Sequence, residues 1–210
     1  MKTLIRAMLL AACMLFCFTS AFADPITFQV TINTTPIAGS PGFLAFDLLG
    51  GSPLQGNTAS ISGFATTGTL GTSSTSGNVT GSLTSQPLVL TTSTFFNEHL
   101  QAITFGAGLT TFNLTLSTNF SGGTPDSFSF FLLDNTLTPF TTSDPTGANA
   151  LFAIDITNAT AAVVFTSAAA TATVTVVQGT NPVPEPATIL LLTGGLTGLA
   201  AIRRLRKFTA

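Results

Sequence analysis

The chain reads as an all-β protein, an antiparallel β-sandwich or jelly roll. Apolar and polar residues alternate with a period of two over many short stretches, the pattern of half-buried strands. Gly/Pro-rich breakers separate those stretches, including Gly39–Gly42, Gly50–Pro53, Gly122–Pro125 and Asp144–Gly147. A helical period of 3.6 is absent outside two apolar segments near the termini. Many short strands joined by Gly/Pro turns point to two packed sheets.

The elements follow in order. Ile26, Phe28, Val30 and Ile32 interleave with Thr27, Gln29, Thr31 and Asn33, predicting a strand over 26–33. Further strands are expected over 43–49, 58–66, 77–84, 87–96, 101–105, 110–119, 126–133, 150–157, 162–166 and 171–177. In the span 110–119, Phe112, Leu114 and Leu116 alternate with Asn113, Thr115 and Ser117; in the last, Ala172, Val174 and Val176 alternate with threonines. Phe128–Leu133 is more continuously apolar, as for a strand covered on both faces. Residues 66–86 are rich in Gly, Ser and Thr; the even spacing of Val79 and Leu83 favours short exposed strands over a loop. With 19 Phe and no Trp or Tyr, the inner faces are expected to be lined by Phe.

The two ends are of a different kind. Lys2 and Arg6 precede an apolar run, Ala7–Phe18, and Ala21-Phe22-Ala23 gives small residues before Asp24. That is the layout of a secretory signal peptide over 1–23, cut by signal peptidase between Ala23 and Asp24. A lipoprotein signal ending at Cys13 is the rival, but apolar Met14–Phe18 follows where a polar tether is expected. At the other end, Val183-Pro184-Glu185-Pro186 leads into apolar Ala187–Ile202 and then the basic cluster Arg203, Arg204, Arg206 and Lys207. The apolar run is short for a spanning helix, though snorkelling arginines extend it. The expected organisation is a signal peptide (1–23), a β ectodomain (24–177), a linker with the Pro-Glu-Pro element (178–186), a single transmembrane helix (187–202) and a basic cytoplasmic tail (203–210). Basic residues at both ends place the middle outside the cytoplasm.

All six basic residues belong to those ends; between Arg6 and Arg203 there is no Lys or Arg. A surface without cations cannot displace counterions from phosphates, so nucleic acid is excluded as a partner. Both cysteines, Cys13 and Cys17, fall in the signal segment, leaving the exported part without disulfides. Its stability rests on burial and backbone pairing.

Little in the middle resembles catalytic machinery. The single histidine, His99, follows Glu98 and is read as a solvated loop residue; a hydrolase using His99 is the least favoured reading. Glu98 with one of the aspartates would supply the two carboxyls of a glycosidase, although Trp and Tyr platforms for a sugar are missing. Asp126, Asp134, Asp144 and Asp155 lie at expected strand ends or turns, where oxygen ligands for calcium could converge, but surface solubility is the stronger explanation. No catalytic, metal-ligating or cofactor-binding residue is assigned, and no cofactor is expected.

Pro-Glu-Pro at 184–186, the apolar stretch 187–202 and the basic residues 203–207 together resemble the PEP-CTERM sorting signal of Gram-negative bacteria. The resemblance implies processing by an exosortase, a membrane cysteine protease-transpeptidase that cleaves near the motif. It also implies passage through the inner membrane to the cell surface or extracellular matrix, and an association with exopolysaccharide and biofilm. Pro184 and Pro186 suit such processing, because they hold the segment extended and deny it helix. Pieces such as Gly42–Leu48, Asp126–Asp134 and Ala150–Ile156 are similar to short PEP-CTERM ectodomains that carry no assigned activity. The expected function is therefore that of a non-enzymatic surface or matrix protein, with a carbohydrate-binding module for the cell's own exopolysaccharide as the alternative.

Overall fold

Among the described residues, twelve strands build two antiparallel six-stranded sheets. The computed structural model describes residues 25–157 and 160–177. The signal segment with Ala21, Ala23 and Asp24, the linker, the sorting motif, the apolar stretch 187–202 and the basic tail lie outside the described residues. Among the described residues there is no α-helix, and no helix long and apolar enough to cross a membrane.

The strands are β1 (Ile26–Asn33), β2 (Pro41–Leu49), β3 (Thr58–Thr66), β4 (Thr69–Ser76), β5 (Val79–Thr80), β6 (Leu88–Thr91), β7 (Phe96–Thr104), β8 (Leu109–Leu116), β9 (Asp126–Asp134), β10 (Phe152–Ile156), β11 (Ala162–Val164) and β12 (Thr171–Val177). The first sheet runs β12-β1-β8-β3-β6-β5 and the second β11-β10-β9-β2-β7-β4. The pairs β1–β8, β2–β7 and β3–β6 nest inside one another, with early strands alternating between sheets. That nesting is the winding of a jelly roll. The meander β9-β10-β11 then widens the second sheet, and β12 returns to pair with β1.

Period two explains the layers. Phe28, Val30 and Ile32 of β1 and Phe112, Leu114 and Leu116 of β8 point inward from the first sheet. Leu44, Phe46 and Leu48 of β2 and Phe128, Phe130 and Leu132 of β9 meet them from the second. Phenylalanine does line the core. Phe152, Phe130 and Phe46 occupy one register row across the second sheet. Phe46 and Phe130 pack edge-on at 5.0 Å, and Phe112 reaches both from the opposite sheet at 5.5 and 5.7 Å. Each buried ring contributes about 2–3 kcal/mol by area, and edge-on pairing adds about 1 kcal/mol.

Several boundaries differ from the sequence reading. The strand expected over 87–96 is two: β6 stops at Thr91, because the Thr92 side chain turns aside to bond Asn57 and Asp126, and β7 starts at Phe96. β7 runs to Thr104 rather than covering only 101–105. Its inward residues Asn97, His99 and Gln101 are polar, which hid the alternation. The exposed strand in the Ser/Thr-rich region is β4, ending where Gly77 (φ 73°) turns the chain, so 77–84 holds only two-residue β5. β2 begins at Pro41 and takes in Gly42, where a Cβ would strike the Leu133 carbonyl and the Phe105 ring. Phe128–Leu133 is not covered evenly on both faces, for Ser129 and Phe131 are only half-buried on the outer side.

Candidate functional site

The four aspartates considered for calcium do not converge. Asp126 opens β9 and is fully buried at one end of the sandwich, contrary to a surface role. Its Oδ1 accepts the Gly51 amide at 2.6 Å, and its Oδ2 accepts Asn57 Nδ2 at 3.0 Å and Thr92 Oγ1 at 2.6 Å. Asn57 in turn donates to the Asn119 carbonyl and accepts from Ser117 Oγ and the Asn119 amide. The network ties the loops after β2, β6 and β8 to the start of β9. Asp134 accepts the Thr136 hydroxyl and the Thr136 and Thr138 amides, bonds that hold its carboxyl below the usual range. At Asp144, burial pushes the carboxyl up, but the Thr146 amide and hydroxyl and the Ala150 amide outweigh it, and the net direction is down. Asp155 is exposed on the outer side of β10. Among the described residues no three His, Cys, Asp or Glu side chains are grouped to hold a metal.

His99 corrects the sequence reading most sharply. It is a core residue, 1% exposed, in the middle of β7. It extends the aromatic register row, opposite Phe46 at a ring distance of 6.2 Å. Neither ring nitrogen finds a hydrogen-bond partner within the protein. Burial therefore lowers its pKa below 6.5, with Gln101 on the same face acting the other way. A histidine sealed in the core beside Phe46, with neither nitrogen bonded, offers a substrate no base, and among the described residues no Ser-His-acid arrangement forms around it.

The acids that do meet are Asp47 and Glu98. They sit directly opposite one another on β2 and β7. Both belong to the outer side of the second sheet, because Phe46 and Leu48 flank Asp47 on the buried side and Asn97 and His99 flank Glu98. Opposed residues on adjacent strands have Cβ atoms about 5 Å apart. Ser129 continues the register row beyond Asp47, and Ser76 beyond Glu98. Phe96, Leu49, Ser127 and Asp155 form the next row on the same face. Burial first, and then the Glu98 charge, push the Asp47 carboxyl up to about 7. Burial raises Glu98 as well. Asp47 Oδ1 is buried without a hydrogen-bond partner. With no Lys or Arg between Arg6 and Arg203 to compensate, the pair relieves its repulsion by holding a proton. With its carboxyl pushed up to about 7, Asp47 keeps its proton toward neutral pH beside Glu98, on a face that also presents an aromatic ring and hydroxyls.

Sequence reading nominated Glu98 with an unspecified aspartate; the register selects Asp47. One signal was available, since Asp47 interrupts the apolar run Phe43–Leu49. Also missed were Phe95, 69% exposed, and Phe96, partly exposed, where β7 begins. Leu54 is exposed in the neighbouring loop after β2, and the Gly50 amide bonds the Phe95 carbonyl.

The chain's destination is written elsewhere. Residues 182–207 match the family of the PEP-CTERM protein-sorting motif. The chain carries a PEP-CTERM sorting motif. The match spans Val183, Pro184, Glu185 and Pro186 and ends on the basic residues Arg203, Arg204, Arg206 and Lys207. A PEP-CTERM motif is consistent with an exosortase substrate and implies export to the cell envelope or surface. No curated protein and no solved structure matches the chain.

Proposed function

We propose that the β domain is a non-enzymatic component of the cell surface or extracellular matrix of an exopolysaccharide-producing Gram-negative bacterium. In this reading signal peptidase removes residues 1–23, the apolar stretch 187–202 holds the chain in the inner membrane, and exosortase cleavage near Pro184-Glu185-Pro186 frees the domain. The sorting motif at 182–207 carries the reading. The chemistry of the domain supports it, because Asp134 and Asp144 are engaged by their own loops, Asp126 by loops distant in sequence and His99 by the core. The test is the intact mass of the protein recovered outside the cells. A mass beginning at Asp24 and ending near Pro184–Pro186 is expected; a mass that retains Lys207 overturns processing and leaves a plain membrane anchor. Trypsin offers a check on identity, since no site exists between Arg6 and Arg203.

A second reading, recognition of the cell's own exopolysaccharide, is favoured by one arrangement. Phe96 and the Asp47–Glu98 pair share a face with Ser127 and Ser129. A ring to stack on a sugar and carboxyls to accept its hydroxyls are what a shallow glycan site needs. The released protein is passed over immobilised exopolysaccharide. Retention that falls in Phe96→Ala and Glu98→Gln supports this reading, and no retention of the wild type ends it.

A further inference from the structure

We propose that β12 pairs with β12 of a second copy of this chain, joining two six-stranded sheets into one continuous sheet. Of the four sheet edges, three are blunted. β5 has two residues, β11 three, and β4 carries a register break between Leu70 and Ser73. β12 alone is long and regular, pairing with β1 without interruption from Val177 opposite Thr27 to Thr171 opposite Asn33. Among the described residues its other side pairs with no strand.

The edge also lacks the usual chemical protection. Thr-Ala-Thr-Val-Thr-Val-Val, residues 171–177, contains no charge, no Pro and no Gly, and every residue but Ala172 is β-branched. Natural edges normally carry a Lys, a Pro or a bulge to prevent pairing; a bare seven-residue strand of this composition is a template for it. Exposed valines border the template. Val176 is 53% exposed, and on β11, which lies beside β12, Val163 is 56% exposed.

A second copy fits for two reasons. Antiparallel self-pairing about Val174 sets Thr171 against Val177, Ala172 against Val176 and Thr173 against Thr175. All of these pairs preserve the face of each residue, as a two-fold contact requires, and Val176 is covered by its partner's strand. Charge argues the same way. The acidic side chains of the described strands lie on β2, β7, β9 and β10, whereas β12 and its neighbour β11 hold no ionisable side chain, so two copies meet at this edge without charge repulsion. The pairing depends on neither sorting nor glycan binding. It would let the exported domain build an assembly from its own kind.

The test is sedimentation of the released protein over a concentration series. A reversible dimer is expected. Thr173→Lys/Thr175→Lys, whose side chains point to solvent on the outer face, should weaken association by about tenfold or more while leaving circular dichroism and the unfolding midpoint unchanged. Gln29→Lys/Ser62→Lys adds the same charge to interior strands of the same face and should leave association intact. A wild-type monomer up to the solubility limit overturns the proposal, as does equal weakening by the interior pair. Should the double edge variant not fold, Val177→Lys, at the exposed end of β12, reads the same edge.

Discussion

Asp126 is fully buried and accepts three hydrogen bonds, whereas Asp47 is less deeply buried and has an oxygen that accepts none. Both belong to a stretch of chain that offers no cation. At the end of the sandwich, loops supply amide and hydroxyl donors, and the Asp126 carboxyl is satisfied by neutral groups. On the face of the second sheet, backbone donors are committed to the strand ladders, and the cross-strand neighbour of Asp47 is another acid. There a proton does what donors do at Asp126. Without Lys or Arg, the cost of a buried acid is set by whether a loop or a ladder surrounds it.

The comparison breaks most visibly at Asp126. Asp126→Ala leaves the Gly51 amide, Asn57 Nδ2 and Thr92 Oγ1 without their acceptor and should cost about 3 kcal/mol. With no Trp or Tyr in the chain, urea unfolding followed by circular dichroism is the measurement. A loss as small as that of an exposed substitution would deny the network its structural role.

Asp47 should behave in the opposite sense, through pH. Its folded pKa, about 7, exceeds the ordinary 3.8, so the folded state binds the proton more tightly. Its contribution is fully present below pH 3.8 and is lost as pH rises through about 7. Asp47→Asn should flatten that decline and raise stability at pH 8 by on the order of 2 kcal/mol. An unchanged slope in the variant would place the proton elsewhere.

His99 sharpens the picture as a buried polar group of the other sign. Its lowered pKa means the folded state resists protonation, so stability falls as pH drops below 6.5. His99→Phe continues the row of Phe152, Phe130 and Phe46, and should gain about 1 kcal/mol and remove this acid limb. The smallest effect is expected from Glu98→Gln. It removes the second cause of the Asp47 shift and leaves the larger one, burial, so the Asp47 carboxyl titration read by carbon NMR should move down only part of the way.

The legible parts of the fold were those where the outward residues are polar and the inward ones apolar. β1, β3 and β12 follow that rule, and their spans are close to those read from the chain. β7 breaks it at Asn97, His99 and Gln101, and half of the strand was lost to view along with the place of its histidine. Asp126 looked like a surface acid because composition cannot show that loops several dozen residues away fold over its carboxyl. The Asp47–Glu98 pair was hidden for a related reason. Fifty-one positions separate the two residues, and only the β2–β7 register makes them neighbours.

By itself the sequence determined the alternation that forces two sheets, the Phe-only aromatic core, the cation-free middle and the sorting motif. These are properties of residue type and local order, and local order is what a linear chain states. Tertiary structure decided which strands are edges, which acids meet and which polar residues are sealed inside. Each of those depends on register and winding, where one residue of slip exchanges the buried face for the exposed one.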